Sequence, residues 1–313
     1  VACTDAHLDT PAAERVAIKT ILPGASAGDR FEKMLRDEAN ALMRVRHDAV
    51  VPYRTYGRVG EHGAYYLVLE FIDGEPLDDF YGRRPLSEKE LFALGRRLAA
   101  GLQAAHEEGL VHRDVAPDNV LLPQSQLDKA TLIDFGIAKI GEVDGQSDMQ
   151  FAGKLSYAAP EQFVPGARIG PHTDVYSLAL VLAAAARGKP VPMGTSVAAA
   201  QDARRAVPDL AGVPPRIAGA LERMLEPHPS DRPQSMREVL GLLDEAERAP
   251  ASAPVPPPAA PEASRAAPRA AGKVAGKAAG IRRVERPKDE HPKRPRRGSL
   301  TSGRVAVVPG GGA

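Results

Sequence analysis

Four short polar motifs follow one another along the chain, each next to an apolar segment. Val16-Ala17-Ile18-Lys19 has strand character, and the run from His112 through Asp114 to Asn119 follows a helical segment. Asp134-Phe135-Gly136 comes after the strand-like residues 130–133, and Ala159-Pro160-Glu161 begins 25 residues after Asp134. One such motif is a weak signal, but their order in this context is specific. The fold must therefore bring side chains that are far apart in sequence to one site.

The composition changes sharply near residue 249. Ala, Pro and Gly supply 34 of the last 65 residues, and no aromatic residue follows Tyr176. A segment of this kind cannot bury enough apolar surface to offset its conformational entropy. We therefore expect residues 249–313 to be disordered, and the folded part to lie within residues 1–248.

The charge is divided unevenly between these two parts. The whole chain has 41 Lys+Arg and 40 Asp+Glu, but 13 of the basic and 4 of the acidic residues lie in the tail, which leaves residues 1–248 with a net charge of −8. An acidic body argues against a nucleic-acid-binding core. Cys3 is the single cysteine, which excludes an intramolecular disulfide and a cysteine-based zinc cluster. The longest apolar run has nine residues, 178–186, and no signal peptide is evident, so we expect a cytoplasmic protein without a transmembrane segment.

Hydrophobic periodicity divides the body into two parts. Strand-like runs at 15–19 and 65–69 surround a helix predicted over 31–44. Beyond residue 72 the pattern is helical, with a capping-box signal at Ser87 and Glu90 that opens a helix through Glu107. Further helices are predicted at 173–187, 221–225 and 236–246. The fold class is α+β, with a small β-rich part before a larger helical part.

Taken together, the motifs resemble those of the eukaryotic-like serine/threonine protein kinases of bacteria, over roughly residues 1–245. The resemblance implies a two-lobed fold, with a partial β-rich N-lobe over 1–72, a helical C-lobe over 73–248 and a disordered tail over 249–313. It also implies transfer of the ATP γ-phosphate to serine or threonine of protein substrates, with ATP and Mg²⁺ as the cofactors.

The resemblance assigns roles to five polar residues. Lys19 would hold the α- and β-phosphates and would be aligned by Glu38, which lies on the inward face of the first helix. Asn119 and Asp134 would hold Mg²⁺, a cation that prefers oxygen ligands. Asp114 would act as the catalytic base toward the substrate hydroxyl.

The resemblance also implies an adenine slot between the lobes. Leu69 would be the gatekeeper, and the backbone of Glu70 and Ile72 would hydrogen-bond to the base. Ala17 and Leu121 would sandwich the ring. The alternative for any one of them is a plain core residue.

Three further positions resemble structural supports of the family. Glu161 is expected to pair with Arg232. Asp174 is expected to anchor the backbone of the catalytic loop, which comprises His112 to Asn119. The alternative for Asp174 is a first-turn acid favoured by the helix dipole. His112 is expected to be a packed core histidine and not a base.

The sequence departs from the family at the glycine-rich loop. Residues 1–18 contain no glycine, although the family places a glycine-rich hairpin before the strand of Lys19. Either the sequence is truncated or nucleotide binding is impaired. We expect truncation, because the other catalytic residues are all kept.

A second departure concerns charge beside the catalytic aspartate. Ala116 stands where serine/threonine kinases usually have lysine, and Lys154 stands where they usually have threonine. We hypothesise a swap in which Lys154 supplies the catalytic charge that Ala116 lacks. The alternative is that Lys154 faces solvent and alters only the choice of substrate.

Ser147 and Ser299 are candidate autophosphorylation sites. Ser147 lies in residues 137–158, which correspond to the activation segment of the family. Ser299 follows Arg296-Arg297-Gly298 in the basic tail. The alternatives are an unmodified loop serine and a chance motif. For the whole chain, the competing function is a pseudokinase that acts as a binding or scaffolding module. A kinase-like fold acting on small molecules is a weaker option, because Glu161 and Arg232 belong to a peptide-binding platform.

Overall fold

The computed structural model describes residues 15–21, 29–60, 65–135, 155–250 and 305–309, with the backbone alone for residues 21, 29–32 and 305–309. The strands within these ranges are Arg15–Ile21 (β1), Tyr53–Arg58 (β2), Tyr65–Glu70 (β3), Gly74–Pro76 (β4), Val120–Pro123 (β5), Thr131–Leu132 (β6) and Val305–Pro309 (β7). The helices are Asp29–Arg44 (α1), Leu77–Arg83 (α2), Glu88–Glu107 (α3), Pro171–Arg187 (α4), Val197–Ala203 (α5), Pro215–Met224 (α6) and Met236–Arg248 (α7).

The small lobe is an antiparallel sheet in the order β2-β3-β1-β7, with α1 against β2. Side chains alternate across β3, so that Tyr65, Leu67 and Leu69 are buried. Helix α1 turns Leu35 and Leu42 into the same core. The predicted strands at 15–19 and 65–69 and the helix over 31–44 are confirmed.

Strand β7 is a departure from the disorder that the sequence predicts for residues 249–313. It pairs with β1 in antiparallel register, from Arg15 opposite Pro309 to Lys19 opposite Val305. Its sequence is a short run rich in valine, which suits a pleated strand, and the edge of β1 offers unpaired backbone groups. The average composition of the 65-residue tail does not show this strand, because five residues contribute little to such an average.

The large lobe is helical around the buried helix α4. Every residue of α4 from Thr173 to Ala186 is buried, as its apolar sequence predicts. The capping box of α3 is formed as expected: the Glu90 amide donates to Ser87 Oγ, and the Ser87 amide donates to the Glu90 carboxylate at 2.8 Å. A Cβ at Gly95 of α3 would lie 3.1 Å from the Leu243 side chain, so this glycine allows α3 and α7 to pack closely.

A second small sheet, in the order β4-β5-β6, lies where the two lobes meet. A backbone hydrogen bond joins this sheet to the residues before β2: the Val51 amide donates to the carbonyl of Leu132, in β6, at 2.9 Å. Among the described helices, none is both long and apolar enough to cross a membrane. Lys19 lies within β1, Asn119 directly before β5 and Asp134 two residues after β6, so these strands position the polar motifs of the site.

Candidate active site

Asp114 and Asn119 are brought together by the turn between them. A 3-10 turn at Pro117–Asn119 reverses the chain, and Pro117 suits its first position. The Asn119 Nδ2 donates to the Asp114 carbonyl at 2.7 Å and to its Oδ2 at 3.1 Å. The carboxylate of Asp114 is thereby held in one orientation beside the amide of Asn119.

Asp134 reaches the same place from the next strand. The Ile133 amide, one residue before it, donates to the Asn119 carbonyl at 2.9 Å. Asp134 has a φ of 57° and Arg113, just before Asp114, has a φ of 63°. Non-glycine residues seldom adopt this left-handed conformation, and such strain concentrates at functional sites.

Lys19 completes the cluster, but its partner differs from the predicted one. Its Nζ lies 3.2 Å from Asp134 Oδ1, and no ion pair to Glu38 is formed among the described residues. Burial raises the pKa of Glu38, and the positive charge of Arg113 only partly opposes this rise. The predicted ion pair between Lys19 and Glu38 is therefore not formed in this structure, and the ammonium pairs with the carboxylate of Asp134 instead.

The residues of the predicted adenine slot lie on β1, β3 and β5 and on the chain that follows β3. Ala17 of β1 stands opposite Leu69 of β3, and Leu69 is buried. Leu121 and Ile72 are partly exposed, so they leave apolar surface open to a ligand. The backbone amide of Glu70 donates to the Pro52 carbonyl at 2.9 Å, so this amide is already used within the protein.

The oxygen donors fit a magnesium ion held jointly with phosphates. The Asp134 carboxylate and the Asn119 side-chain oxygen are hard ligands, and Asn119 uses its Nδ2, not its oxygen, to bind Asp114. Magnesium is commonly held by one or two carboxylates together with substrate phosphates. The described residues include no group of three or more His, Cys, Asp or Glu suited to a metal ion, so this pair is the metal-site candidate that the structure offers there.

Asp174 holds the backbone of the catalytic loop in place. Its carboxylate accepts hydrogen bonds from the backbone amides of His112 and Arg113 and from Nε2 of His106, each at 2.8 Å. Burial acts to raise the pKa of Asp174, but the His106 hydrogen bond and the nearby histidines outweigh it, so the pKa is lowered. The anchoring role predicted for Asp174 is confirmed, whereas His106 was not foreseen.

His112 is a packed core residue, as expected. It is fully buried, its Nε2 lies 3.0 Å from the Ile133 carbonyl, and its ring centroid is 4.4 Å from that of Phe135. Burial lowers the pKa of His112, which favours the neutral ring.

The predicted ion pair between Glu161 and Arg232 is confirmed. Arg232 NH1 lies 3.0 Å from Glu161 Oε1, and both side chains are buried. The hydroxyl of Thr173 donates to the same carboxylate oxygen at 2.8 Å. This network fixes residues 155–163, which we call the platform segment, to helix α4.

Comparison with known proteins agrees with this geometry. The family model described as "Protein kinase domain" matches residues 4–241. The chain belongs to the protein kinase family.

Its relatives include named bacterial kinases. This chain is 34% identical over 252 residues to serine/threonine-protein kinase pkn2 of Myxococcus xanthus, covering 75% of this chain and 30% of pkn2. It is 32% identical over 236 residues to serine/threonine-protein kinase PknD of Mycobacterium tuberculosis, covering 73% and 31%. With serine/threonine-protein kinase PknA of the same species, the identity is 36% over 189 residues, covering 58% and 43%. The chain thus matches about a third of the length of pkn2 and PknD.

Two contacts of the platform segment were not predicted from the sequence. The Gln162 side chain donates to the Arg113 carbonyl and accepts the Ala159 amide, both at 2.8 Å. The hydroxyls of Tyr157 and Tyr81 lie 3.2 Å apart in a buried pair. Glutamine and tyrosine carry no motif signal of their own, so only the fold reveals these contacts.

Some of the predicted site residues lie outside the described part of the chain. These are Lys154, Ser147 and Ser299. Ala116, the proposed partner of Lys154 in the swap, is described and buried.

Proposed function

We propose that this chain transfers the γ-phosphate of ATP to serine or threonine residues of protein substrates. Two contacts support the proposal: Lys19 pairs with Asp134, and Asn119 binds the carboxylate of Asp114. The backbone hydrogen bond from Ile133 to Asn119 joins the strands that carry these two pairs. The similarity to serine/threonine kinases supports the choice of hydroxyl over other acceptors.

Asp114 is the group that receives the substrate hydroxyl. The bond from Asn119 keeps its carboxylate in place, so the hydroxyl can be oriented and its proton accepted as phosphate transfer proceeds. Such a transfer depends mainly on position and charge, since the protein itself forms no covalent bond. The rigid turn at Pro117–Asn119 provides that position.

Lys19, Asn119 and Asp134 are the groups that hold the nucleotide. Asp134 and Asn119 would bind Mg²⁺, which neutralises the charge of the phosphates when bound. Lys19 would then bind the α- and β-phosphates. Its present bond to Asp134 must open for this, and Glu38 is the carboxylate that we propose takes its place beside Lys19.

A protein substrate suits the platform segment better than a small molecule does. Glu161 and Arg232 hold this segment rigidly, and Gln162 ties it to the residue before Asp114. A rigid backbone next to the catalytic aspartate offers a surface along which a peptide can lie.

The decisive experiment measures transfer of radiolabelled phosphate from ATP and Mg²⁺ to a degenerate serine/threonine peptide library. We expect Asp114→Asn to lower the rate by about 10²–10⁴-fold, since it removes the base and keeps the acceptor for Asn119. Asp128→Asn, at an exposed aspartate on a neighbouring turn, is the matched control and should keep the parent rate.

The competing function is a pseudokinase that binds partners without turnover. The Lys19–Asp134 pair and the small side chain of Ala116 favour it. A parent chain that transfers no more phosphate than Asp114→Asn would establish this alternative. In an active parent, mass spectrometry after incubation with ATP tests Ser147 and Ser299 as autophosphorylation sites.

A further inference from the structure

The side chain of Arg204 is a buried cation held by peptide carbonyls. Arg204 follows α5, and it is 2% exposed. Its guanidinium donates to the carbonyls of Ala158 at 2.7 Å, Ala200 at 2.7 Å and Met193 at 3.1 Å, and also to that of Leu155.

No carboxylate lies within ion-pair distance of Arg204 in the described part of the chain. The guanidinium packs over the ring of Phe163 at 4.9 Å, and burial lowers its pKa. A buried charge without an anion is costly unless its donors are all satisfied. Arginine has five such donors in a planar fork, which suits several carbonyls at once, whereas lysine has three on a compact head.

Two of these carbonyls belong to the platform segment. Leu155 and Ala158 lie on either side of Ser156 and Tyr157, directly before the Ala159-Pro160-Glu161 motif. The carbonyls of Met193 and Ala200 belong to α5 and the chain before it. One side chain therefore fastens the start of the platform segment to α5.

The opposite end of the platform segment is tied to the catalytic loop. Gln162 binds the Arg113 carbonyl, and the next residue along the chain is Asp114. The distance from Asp114 to the backbone of 155–158 therefore depends on the contacts of Gln162 and Arg204, together with the ion pair of Glu161 that fixes the same segment. A peptide lying on this backbone must present its hydroxyl to Asp114 within hydrogen-bond reach.

We propose that Arg204 is a positioning residue for the protein substrate, because it fixes residues 155–158 at the distance from Asp114 that a bound peptide requires. The inference rests on the proposed kinase function. It concerns the peptide side of the site and not the nucleotide side, since its carbonyl partners all lie on the platform segment and around α5.

The first test separates peptide from nucleotide in steady-state kinetics. The substrate is the peptide of the serine/threonine library that the parent phosphorylates fastest. We expect Arg204→Lys to raise the KM for this peptide about tenfold and to change the KM for ATP less than about twofold. Arg205→Gln is the matched control, because Arg205 is the next residue, is 80% exposed and forms an ion pair with the equally exposed Asp202. It should keep both constants.

Equal rises in both KM values, or an unchanged peptide KM, would overturn the proposal. The first result would mean that Arg204 supports the fold in general, and the second that the platform keeps its position without it.

A second measurement does not depend on turnover. Hydrogen exchange should increase at residues 155–163 in Arg204→Lys and Arg204→Gln, and stay at the parent level in α3 and α7. Unchanged exchange at 155–163, or an increase spread evenly over the large lobe, contradicts the proposal. A parent that phosphorylates no peptide contradicts the proposed function, and the exchange pattern then still decides whether Arg204 holds the platform segment.

Discussion

At the scale of single residues, the ion pair of Lys19 differs from the one that the sequence predicts. Lys19 pairs with Asp134, while the half-buried Glu38 forms no ion pair with Lys19 among the described residues. A carboxylate in this position binds its proton more firmly in the folded than in the unfolded chain. The folded chain therefore holds more protons over that pH range, and its stability falls as the pH rises through it.

This predicts a pH-dependent gain from Glu38→Gln. The melting temperature of the variant should exceed that of the parent at pH 7. The difference should shrink as the pH is lowered toward 4, because protonation then makes the parent carboxyl neutral, like the amide of the variant. Thermal melts across this range measure the difference. A constant difference at all pH values would show that Glu38 does not carry the burial cost inferred here.

Substitutions at two positions test the hypothesis that Lys154 supplies the charge that Ala116 lacks. Phosphate transfer by Lys154→Met should be lost, and adding Ala116→Lys should restore part of it, because the ammonium returns to the catalytic loop. Both rates are measured with radiolabelled ATP, with Lys129→Met, at an exposed turn, as the control. Full activity in Lys154→Met would rule out the swap.

The polar residues of the four motifs could be identified from the sequence because their order is distinctive. Lys19 pairs with Asp134 and Asn119 binds Asp114, while their joint role in holding a nucleotide stays a prediction. The partner of Lys19 could not be predicted, since it depends on how α1 is placed against the sheet. His106, Gln162 and Arg204 escaped notice for another reason: they bind a backbone group or a single buried carboxylate, and neither leaves a sequence pattern.

At the scale of elements, helices and turns hold the site from several directions. Helix α4 carries Asp174 under the catalytic loop and Thr173 beside Glu161. The apolar sequence of α4 predicted its burial, and the capping box predicted the start of α3. The burial of α4 and the start of α3 both follow from local sequence patterns. How the elements are placed against one another does not follow from such patterns.

The ion pair between the platform segment and the loop before α7 yields a stability prediction. Arg232→Met should lower the free energy of unfolding by about 3–5 kcal/mol, because it leaves the buried Glu161 carboxylate uncompensated. Denaturant titration measures this. The control is Arg237→Met, which removes an exposed pair with Glu107 and should cost at most about 1 kcal/mol. Equal losses in the two variants would mean that the buried pair has no special weight.

At the scale of the whole molecule, the pairing of β7 with β1 joins segments almost 300 residues apart in sequence. It covers the outer edge of the strand that carries Lys19. An uncovered edge strand is open to pairing with other chains. The tail therefore contributes to the small lobe, although its composition as a whole predicts disorder.

A proline in β7 should undo this pairing. Val307→Pro removes a backbone donor opposite Ala17, so amide exchange in β1 should rise while α3 and α4 keep their protection. Val307→Thr keeps a β-branched residue and should behave like the parent. If exchange in β1 does not respond to Val307→Pro, the edge is not held by this strand in solution.

The platform segment is held to the large lobe by two buried arginines that bind it in different ways. Arg232 forms an ion pair with Glu161 near the end of the segment, whereas Arg204 donates to the uncharged carbonyls of Leu155 and Ala158 at its start. The position of the segment therefore depends on two separate stretches of chain, one that follows α5 and one that precedes α7.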